Sequence, residues 1–293
     1  MDRIFTYTIS AADNGMVVLD FLRKQGFSRH ILTAMKSDKE ALSVNGQKAG
    51  GRTVLSTGDH FRVRLMETVS TGGIIPTPMN IPILYEDEDI LVVNKPADMP
   101  VHPSIGNYTN TLANGIAAYL EAKGELCPFR CINRLDRDTS GALILAKNAL
   151  SAAILSVQMR NRQIHRTYLA VVEGITPKSG TISAPIARVD DSVIERHVDF
   201  DKGESAVTHY QRLDVQNEFS LLEIHLETGR THQIRVHMNY IGHPLPADYL
   251  YHPVYDVFKR QPLHSLQLKF QHPITKKAMC LIAPVPEDIS NAF

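Results

Sequence analysis

Asn133-Arg134-Leu135-Asp136-Arg137-Asp138-Thr139-Ser140-Gly141 runs directly into the apolar stretch Ala142-Leu143-Ile144-Leu145-Ala146. A polar, turn-forming segment set against a core strand is where a scaffold can hold a reactive carboxylate rigidly. Arg134 and Arg137 flank Asp136. Nearby cations favour the ionised form of a carboxylate, and that form is the nucleophile or base. Taken alone, the segment reads first as a salt-bridged turn. The carboxylate comes before the apolar strand and not after it.

Working outward, Ile90–Val93 and Arg166–Val172 are predicted strands, and Leu222, Ile224 and Leu226 alternate with Glu223 and His225 as another. Leu112, Ile116, Tyr119 and Leu120 fall at helical spacing, as do Leu150, Ile154 and Val157. These elements do not alternate regularly. The prediction is an α+β fold around a mixed, mainly antiparallel sheet, not a doubly wound parallel one.

The chain divides near residue 68. Residues 68–85 contain no Asp, Glu, Lys or Arg and carry Gly72-Gly73, Pro76, Pro78 and Pro82. That composition predicts a linker over 68–79, between a small domain at 1–67 and a larger one at 80–293. Residues 1–67 hold ten Lys/Arg against seven Asp/Glu, a net +3, and the remainder is −3. In the small piece, Val18, Leu19 and Leu22 suggest one helix, and Ser28 can cap a second bearing Ile31, Leu32 and Met35. Leu42–Val44 enters an Asn45-Gly46 turn, and Phe61, Val63 and Leu65 alternate with Arg62 and Arg64 after Gly58-Asp59.

Composition sets outer limits. Of the 293 residues, 43% are hydrophobic and 21% charged, which is enough apolar chain for a core without disulfides. Lys plus Arg equals Asp plus Glu at 31, which excludes a polycationic protein but not a local basic patch. Cys127, Cys131 and Cys280 are an odd set in a long chain, and predict a reducing, cytoplasmic setting. The N-terminus shows no signal-peptide pattern, and no apolar run approaches the roughly 20 residues of a membrane span.

Two further segments carry chemistry. In Glu227-Thr228-Gly229-Arg230-Thr231-His232-Gln233-Ile234-Arg235-Val236-His237, Gly229 permits a sharp turn after the strand at 222–226. Ile234, Met238 and Ile241 then share a helical face that ends at Gly242. Arg230 and Arg235 suit phosphates, or a carboxylate from another segment. In Arg166-Thr167-Tyr168-Leu169-Ala170-Val171-Val172, Tyr168 shares a strand face with Ala170 and Val172. It can serve as an aromatic platform for a nucleobase, or simply close a core edge.

Together these segments resemble the RluA/RluD-type pseudouridine synthases. The resemblance is carried by Arg134-Leu135-Asp136-x-x-Thr139-Ser140-Gly141, by Arg166-Thr167-Tyr168, and by Thr228-Gly229-Arg230-x-His232-Gln233-Ile234-Arg235-x-His237. Asn94-Lys95-Pro96 with Val101-His102-Pro103, Ala206-x-Thr208-x-Tyr210, and Leu263-His264 ahead of His272-Pro273 extend it over about residues 80–280. Two departures stand out. The family usually has His where this chain has Asn133, and Gly-Asp then Tyr-Gly where it has Ala247-Asp248 and Tyr251-His252. The small N-terminal piece resembles the alpha-L (S-four-type) RNA-binding motif, with Arg23, Lys24, Arg29, Lys36, Lys39 and Lys48 available to phosphates.

The resemblance implies isomerisation of uridine to pseudouridine in a structured RNA, ribosomal rather than transfer RNA, by a monomer needing no cofactor and no metal. Asp136 would be the catalytic carboxylate, acting as nucleophile at the sugar or as base on it. Arg235 would pair with it, and Tyr168 would stack on the flipped uracil and take the carbon 5 proton. Arg134, Arg230, His232 and Ile234 would line the substrate site.

Rival readings are weaker. Asp136-Arg137-Asp138-Thr139 matches the Asp-x-Asp-x-Thr of haloacid-dehalogenase-like phosphatases, but those need an apolar strand before the first Asp, where this chain has Phe129-Arg130-Cys131-Ile132-Asn133-Arg134. A zinc site is suggested by 13 histidines and a Cys127-x-x-x-Cys131 pair, yet His232 and His237 lie five apart, on neither one helical nor one strand face. A non-catalytic RNA-binding protein would have no use for a carboxylate between arginines.

Overall fold

In the computed structural model, which describes residues 2–67 and 73–293, the N-terminal piece builds its own sheet. Its elements are β1 (Asp2–Thr8), α1 (Val18–Lys24), α2 (Arg29–Ala34), β2 (Leu42–Val44), β3 (Gln47–Lys48) and β4 (His60–Met66). The strand order is β1-β4-β2-β3, all antiparallel. Phe61, Val63 and Leu65 point into the core while Arg62 and Arg64 stay half-buried, as the alternation predicts. Asn45 (φ +50°) and Gly46 (φ +79°) make the left-handed pair that closes the β2–β3 hairpin. The Ser28 hydroxyl accepts the Ile31 N–H at 3.3 Å and caps α2.

The larger piece contains β5 (Ile83–Glu86), β6 (Ile90–Lys95), α3 (Leu112–Ala122), β7 (Ser140–Ala146), α4 (Ala149–Arg160), β8 (His165–Glu173), β9 (Ser179–Ser183), β10 (Ile186–Arg188), β11 (Arg196–Val198), β12 (Val207–Gln216), β13 (Phe219–Leu226), α5 (Gln233–Tyr240), β14 (Leu263–Gln271) and β15 (Ala278–Ile282). A nine-stranded sheet runs β5-β6-β7-β14-β8-β13-β12-β9, with β15 also on β14. Every pairing in it is antiparallel except β14 with β7, so the sheet is mixed and mainly antiparallel.

All seven residues of β7 are buried because both faces of the sheet are covered. Leu143 and Leu145 join the core beneath α3 and α5, while Ala142, Ile144 and Ala146 join the opposite core with Leu155 of α4. This explains why the segment reads as one apolar run without alternation. Gly141 sits where β14 crosses: at φ +114°, a Cβ there would lie 2.3 Å from the Ser265 carbonyl oxygen. Only glycine permits that approach.

The two pieces are docked through α4. Leu150 is part of the N-terminal core, and Gly26 presses on Ile154, where a Cβ would come within 2.7 Å of Cγ1. Arg3 forks onto Asp89 with two 3.0 Å bonds, and Glu67 pairs with Arg130 and accepts the Ala149 N–H at 2.6 Å. Val157, expected on the apolar face of α4, is 43% exposed. The helix is packed on two sides, by Leu150 and Ile154 against one piece and Leu155 against the other, which leaves residue 157 facing out. Of the segment 68–79, residues 68–72 lie outside the described residues. Farther on, the Ile75 carbonyl accepts from Asn114 of α3 at 2.8 Å and the Thr77 N–H donates to the Asn114 carbonyl at 3.1 Å.

Candidate active site

One cleft gathers Arg134, Asp136, Tyr168, Arg230, His232, Ile234 and Arg235, all seven residues singled out for catalysis and substrate contact, from three separate stretches of chain. Asp136 stands in the turn before β7, closed by the Thr139 N–H on the Asp136 carbonyl at 3.2 Å. The turn breaks the shared face that an extended segment would give Asp136 and Asp138. Asp136 faces the cleft, whereas Asp138 accepts from Arg137 at 3.2 Å and lines a separate cavity.

The sequence neighbours of Asp136 are not its partners. Arg134 is exposed, and Arg137 pairs with Asp98 and Asp138. The partner is Arg235, 99 residues on, whose Nη1 donates to Asp136 Oδ2 at 2.9 Å. Arg235 is 1% exposed and also donates from Nε and Nη2 to Asp248, at 2.6 Å each. Burial alone would lower the pKa of this guanidinium, but Asp248 and Asp136 outweigh it and hold the group above an ordinary arginine. The rings of Tyr251 and Tyr249 flank its charge at 5.0 and 5.3 Å. The Asp136 side chain is 26% exposed, so one face of the carboxylate remains open to the cleft.

His232 caps α5 in the left-handed conformation (φ +57°) and turns its Nε2 to within 3.9 Å of Asp136 Oδ1. Its Nδ1 lies 3.0 Å from the Tyr251 hydroxyl, which accepts the Arg196 N–H at 3.0 Å. Burial depresses the His232 pKa, favouring the neutral ring, and pushes the Tyr251 hydroxyl up to about 12. Tyr168 lies on β8 opposite Ile224 and Ser265, 4% exposed, its hydroxyl pKa raised first by burial. Two buried polar atoms in the cleft wall, Thr139 Oγ1 and Arg166 Nε, have no partner among the described residues.

The helix carrying Arg235 is fixed by its own first residue. The Gln233 amide oxygen accepts from Thr228 Oγ1 (2.7 Å) and the Arg230 N–H (3.0 Å), and its nitrogen donates to the Val207 carbonyl and Thr208 Oγ1, both at 3.0 Å. Thr208 also meets His237 Nδ1 at 2.8 Å, so His237 is a buried strut and not a cleft residue. Arg230 bonds the Ser205 carbonyl at 3.1 Å and pairs with Glu204.

Sequence reasoning left Asp248, Tyr251 and Lys95 without roles. Asp248 was visible only as the residue after a departure from the family pattern. That departure, Ala247, has φ +53°, a conformation that favours glycine. Lys95 is 0% exposed and donates to the carbonyls of Pro96, Met99 and Arg137 at 2.7–2.9 Å, tying β6 to the residue after Asp136. Asn133 bonds the β7 backbone, accepting from the Ile144 N–H at 2.8 Å, and so braces the strand. The thiols of Cys131 and Cys127 are pushed up by burial, Cys131 to about 12.

In the N-terminal piece, Arg23, Lys24, Arg29, Lys36, Lys39 and Lys48 are all exposed. Arg23 pairs with Asp20 at 2.9 Å and Lys24 with Asp13 at 2.6 Å. No described helix is long and apolar enough to cross a membrane.

The RNA pseudouridylate synthase family pattern matches residues 89–240, which include Asp136, Tyr168 and Arg235. The chain is 40% identical over 277 residues to the uncharacterized RNA pseudouridine synthase YjbO of Bacillus subtilis, covering 94% of this chain and 98% of that one. It is 37% identical over 261 residues to ribosomal large subunit pseudouridine synthase D of Neisseria meningitidis serogroup A, covering 85% and 70%. Among solved structures, human RNA pseudouridylate synthase domain containing 1 superposes with a TM-score of 0.59 at 27% identity, covering 75% of this chain and 86% of that one. A carboxylate held by a buried arginine beneath a tyrosine-lined cleft is thus found in a chain that belongs to the RNA pseudouridylate synthase family, isomerases acting on RNA.

Proposed function

We propose that this chain converts specific uridines of large-subunit ribosomal RNA to pseudouridine, with Asp136 as the catalytic carboxylate. The carrying observation is the Asp248–Arg235–Asp136 chain of charged hydrogen bonds, which leaves the open face of Asp136 turned into the cleft. Pseudouridine forms when the bond from ribose to N1 breaks, the base turns, and carbon 5 bonds to the ribose. Attack on the sugar and proton removal from it both use an ionised carboxylate at this position. Arg235 already spends its charge on two carboxylates, so its role is to position Asp136 rather than to bind phosphate. Tyr168 offers a ring for the flipped uracil and a hydroxyl that can accept the carbon 5 proton as it passes its own toward N1, so that the proton moves with no net change on the tyrosine. The unpartnered Thr139 hydroxyl and Arg166 Nε are available to polar groups of the bound nucleotide.

Base flipping costs least where a uridine is already unpaired, which favours loops of structured RNA. The name of the Neisseria relative supports large-subunit ribosomal RNA over transfer RNA. The exposed cations of residues 1–67 support RNA binding by that piece, and a ribosomal substrate fits a monomer working in the cytoplasm. The test is pseudouridine mapping of ribosomal and transfer RNA from cells lacking the protein, complemented with wild type or Asp136→Asn. Restoration at a ribosomal site by wild type alone is expected. Full restoration by the Asn variant, or a change confined to transfer RNA, refutes the assignment.

A further inference from the structure

Three concave surfaces meet near the catalytic turn, and their charges differ. The largest, about 1290 Å³, lies beyond Arg137 and Asp138 and carries Arg137, Lys259 and Arg260 against Asp98, Asp138, Glu287 and Asp288, a net −1. A trough of about 930 Å³ leads from the cleft toward the α4–β8 turn. It carries Arg134, Arg160, Arg162, Arg166 and Arg230 against Asp136 and Glu227, a net +3, with His165 beside them. A third, of about 550 Å³, reaches β10 and β11 at net +2, with Arg134, Arg188, Arg196, Lys202 and Arg230 against Asp190, Asp199 and Glu204. Arg134 and Arg230 belong to both basic surfaces and to the cleft. A concave basic surface focuses potential on a polyanion, and the largest of the three carries no positive excess to do so.

We propose that the α4–β8 turn, through Arg160 and Arg162, is a dedicated phosphate-binding surface for the RNA strand flanking the target uridine, and that the larger acidic cavity takes no RNA. This rests on the assignment of RNA as substrate. Arg160 is exposed and has no ion pair among the described residues, and Arg162 shares only a 3.3 Å surface contact with Glu227. Arg162 also occupies the left-handed position just past the end of α4 (φ +58°), where its N–H bonds the Met159 carbonyl and the Gln163 N–H bonds that of Gln158. Glycine normally fills such a helix end. The Arg162 side chain is thereby carried on a defined helix end. The same helix begins inside the N-terminal core at Leu150 and ends at Arg160 in the trough. It therefore connects the N-terminal piece directly to the path of the strand.

The test uses the full chain and a fluorescein-labelled RNA hairpin with an all-uridine loop, titrated across a range of salt, with pseudouridine formation followed on the same RNA. Arg160→Ala combined with Arg162→Ala should weaken binding about tenfold and lower the slope of log affinity against log salt by about 1.4, the loss of two single-strand phosphate contacts. Conversion at subsaturating enzyme should fall by the same factor. Arg162→Gly relieves the helix end, so affinity should fall while the thermal midpoint holds or rises. Lys259→Ala, in the acidic cavity, should bind like wild type. Unchanged affinity and salt slope in the double variant, or an equal loss in Lys259→Ala, overturns the proposal. So does a fall in conversion larger than the fall in affinity. Wild-type protein that binds the hairpin with the expected Arg160 and Arg162 dependence, yet forms no pseudouridine in any RNA, would sink the catalytic reading and leave this surface standing.

Discussion

Asp248 holds Arg235 from behind with two 2.6 Å bonds, and Arg235 presents its remaining Nη1 to Asp136 at 2.9 Å. Asp248 and Arg235 are each 1% exposed, so the pair is fully desolvated and its geometry is fixed before substrate arrives. The Asp136 turn is gripped from its other side by Lys95 on the Arg137 carbonyl and by Arg260 on the Asp138 carbonyl, at 2.9 and 2.8 Å. Few rotations remain open to the Asp136 side chain.

Asp136→Asn removes the charge but leaves Arg235 paired with Asp248, so the fold should persist while single-turnover conversion of a uridine-containing RNA disappears. RNA binding should hold or tighten, since a carboxylate near phosphates is gone. Asp138→Asn should keep measurable turnover, because its carboxylate faces Arg137 and not the cleft. Near-normal conversion by Asp136→Asn would refute the assignment.

Asp248→Asn should be the more destructive change to the protein itself. It leaves a buried guanidinium short of one carboxylate, a class of defect that costs about 3–5 kcal/mol. Arg235→Lys should also destabilise, since an ammonium cannot make the planar fork to Asp248 while reaching Asp136. Urea denaturation of both variants checks this. Midpoints equal to wild type would show that the network contributes nothing to the fold.

Tyr168→Phe separates ring from hydroxyl. The ring is 4% exposed and packs with Ala170 and Val172, so Tyr168→Ala would confound lost stacking with a core cavity of about 3–5 kcal/mol. The Phe variant keeps both packing and stacking. Its RNA affinity should match wild type and its single-turnover rate should drop. An unchanged rate removes the proton-transfer role.

Strands such as β4 and β13, the α5 face and the α+β class were legible because each rests on local periodicity: Phe61, Val63 and Leu65 in β4, or Ile234 and Met238 in α5. The partner of Asp136 was legible only through family resemblance, since the adjacent Arg134 and Arg137 look like better candidates to any local argument. Asp248 was legible only as the second residue of a family Gly-Asp pair, with nothing to give it a role. It comes from a loop, its burial depends on α5 lying across it, and a lone Asp carries no periodic signal. The docking of residues 1–67 was equally hidden. Leu150 and Leu155 sit in one apolar helix, and nothing in spacing alone says that they enter different cores.

That docking changes what truncation should do. Deleting residues 1–67 should weaken RNA binding and flatten its salt dependence. It should also destabilise the remainder, because Leu150 and Ile154 lose their cover and Asp89 loses Arg3. Re-exposing one leucine costs about 1.5–3 kcal/mol. Some conversion at saturating RNA should survive in the folded fraction. A folded truncate that is inactive at saturating RNA would place residues 1–67 in the chemistry.

Acid should loosen the Asp136 turn through His264. This histidine is 1% exposed, burial pushes its pKa down to about 4, and its Nδ1 lies 2.9 Å from the hydroxyl of Ser140, the residue that begins β7 immediately after the turn. The folded state keeps the ring neutral while the unfolded chain protonates it near about 6.5. The unfolded state therefore binds more protons between these values. The stabilisation is complete above about pH 6.5 and is lost as pH falls toward about 4, an upper limit of roughly 3 kcal/mol. A protonated ring would carry hydrogen on both nitrogens, and the Ser140 hydroxyl would have to turn from donor to acceptor. His264→Asn has no group that titrates in this window, so its urea midpoint should vary less between about pH 7.5 and 4.5 than that of wild type. Carboxylates elsewhere act on both proteins alike, and the comparison isolates the histidine. Parallel loss of stability in the two proteins would sink the idea.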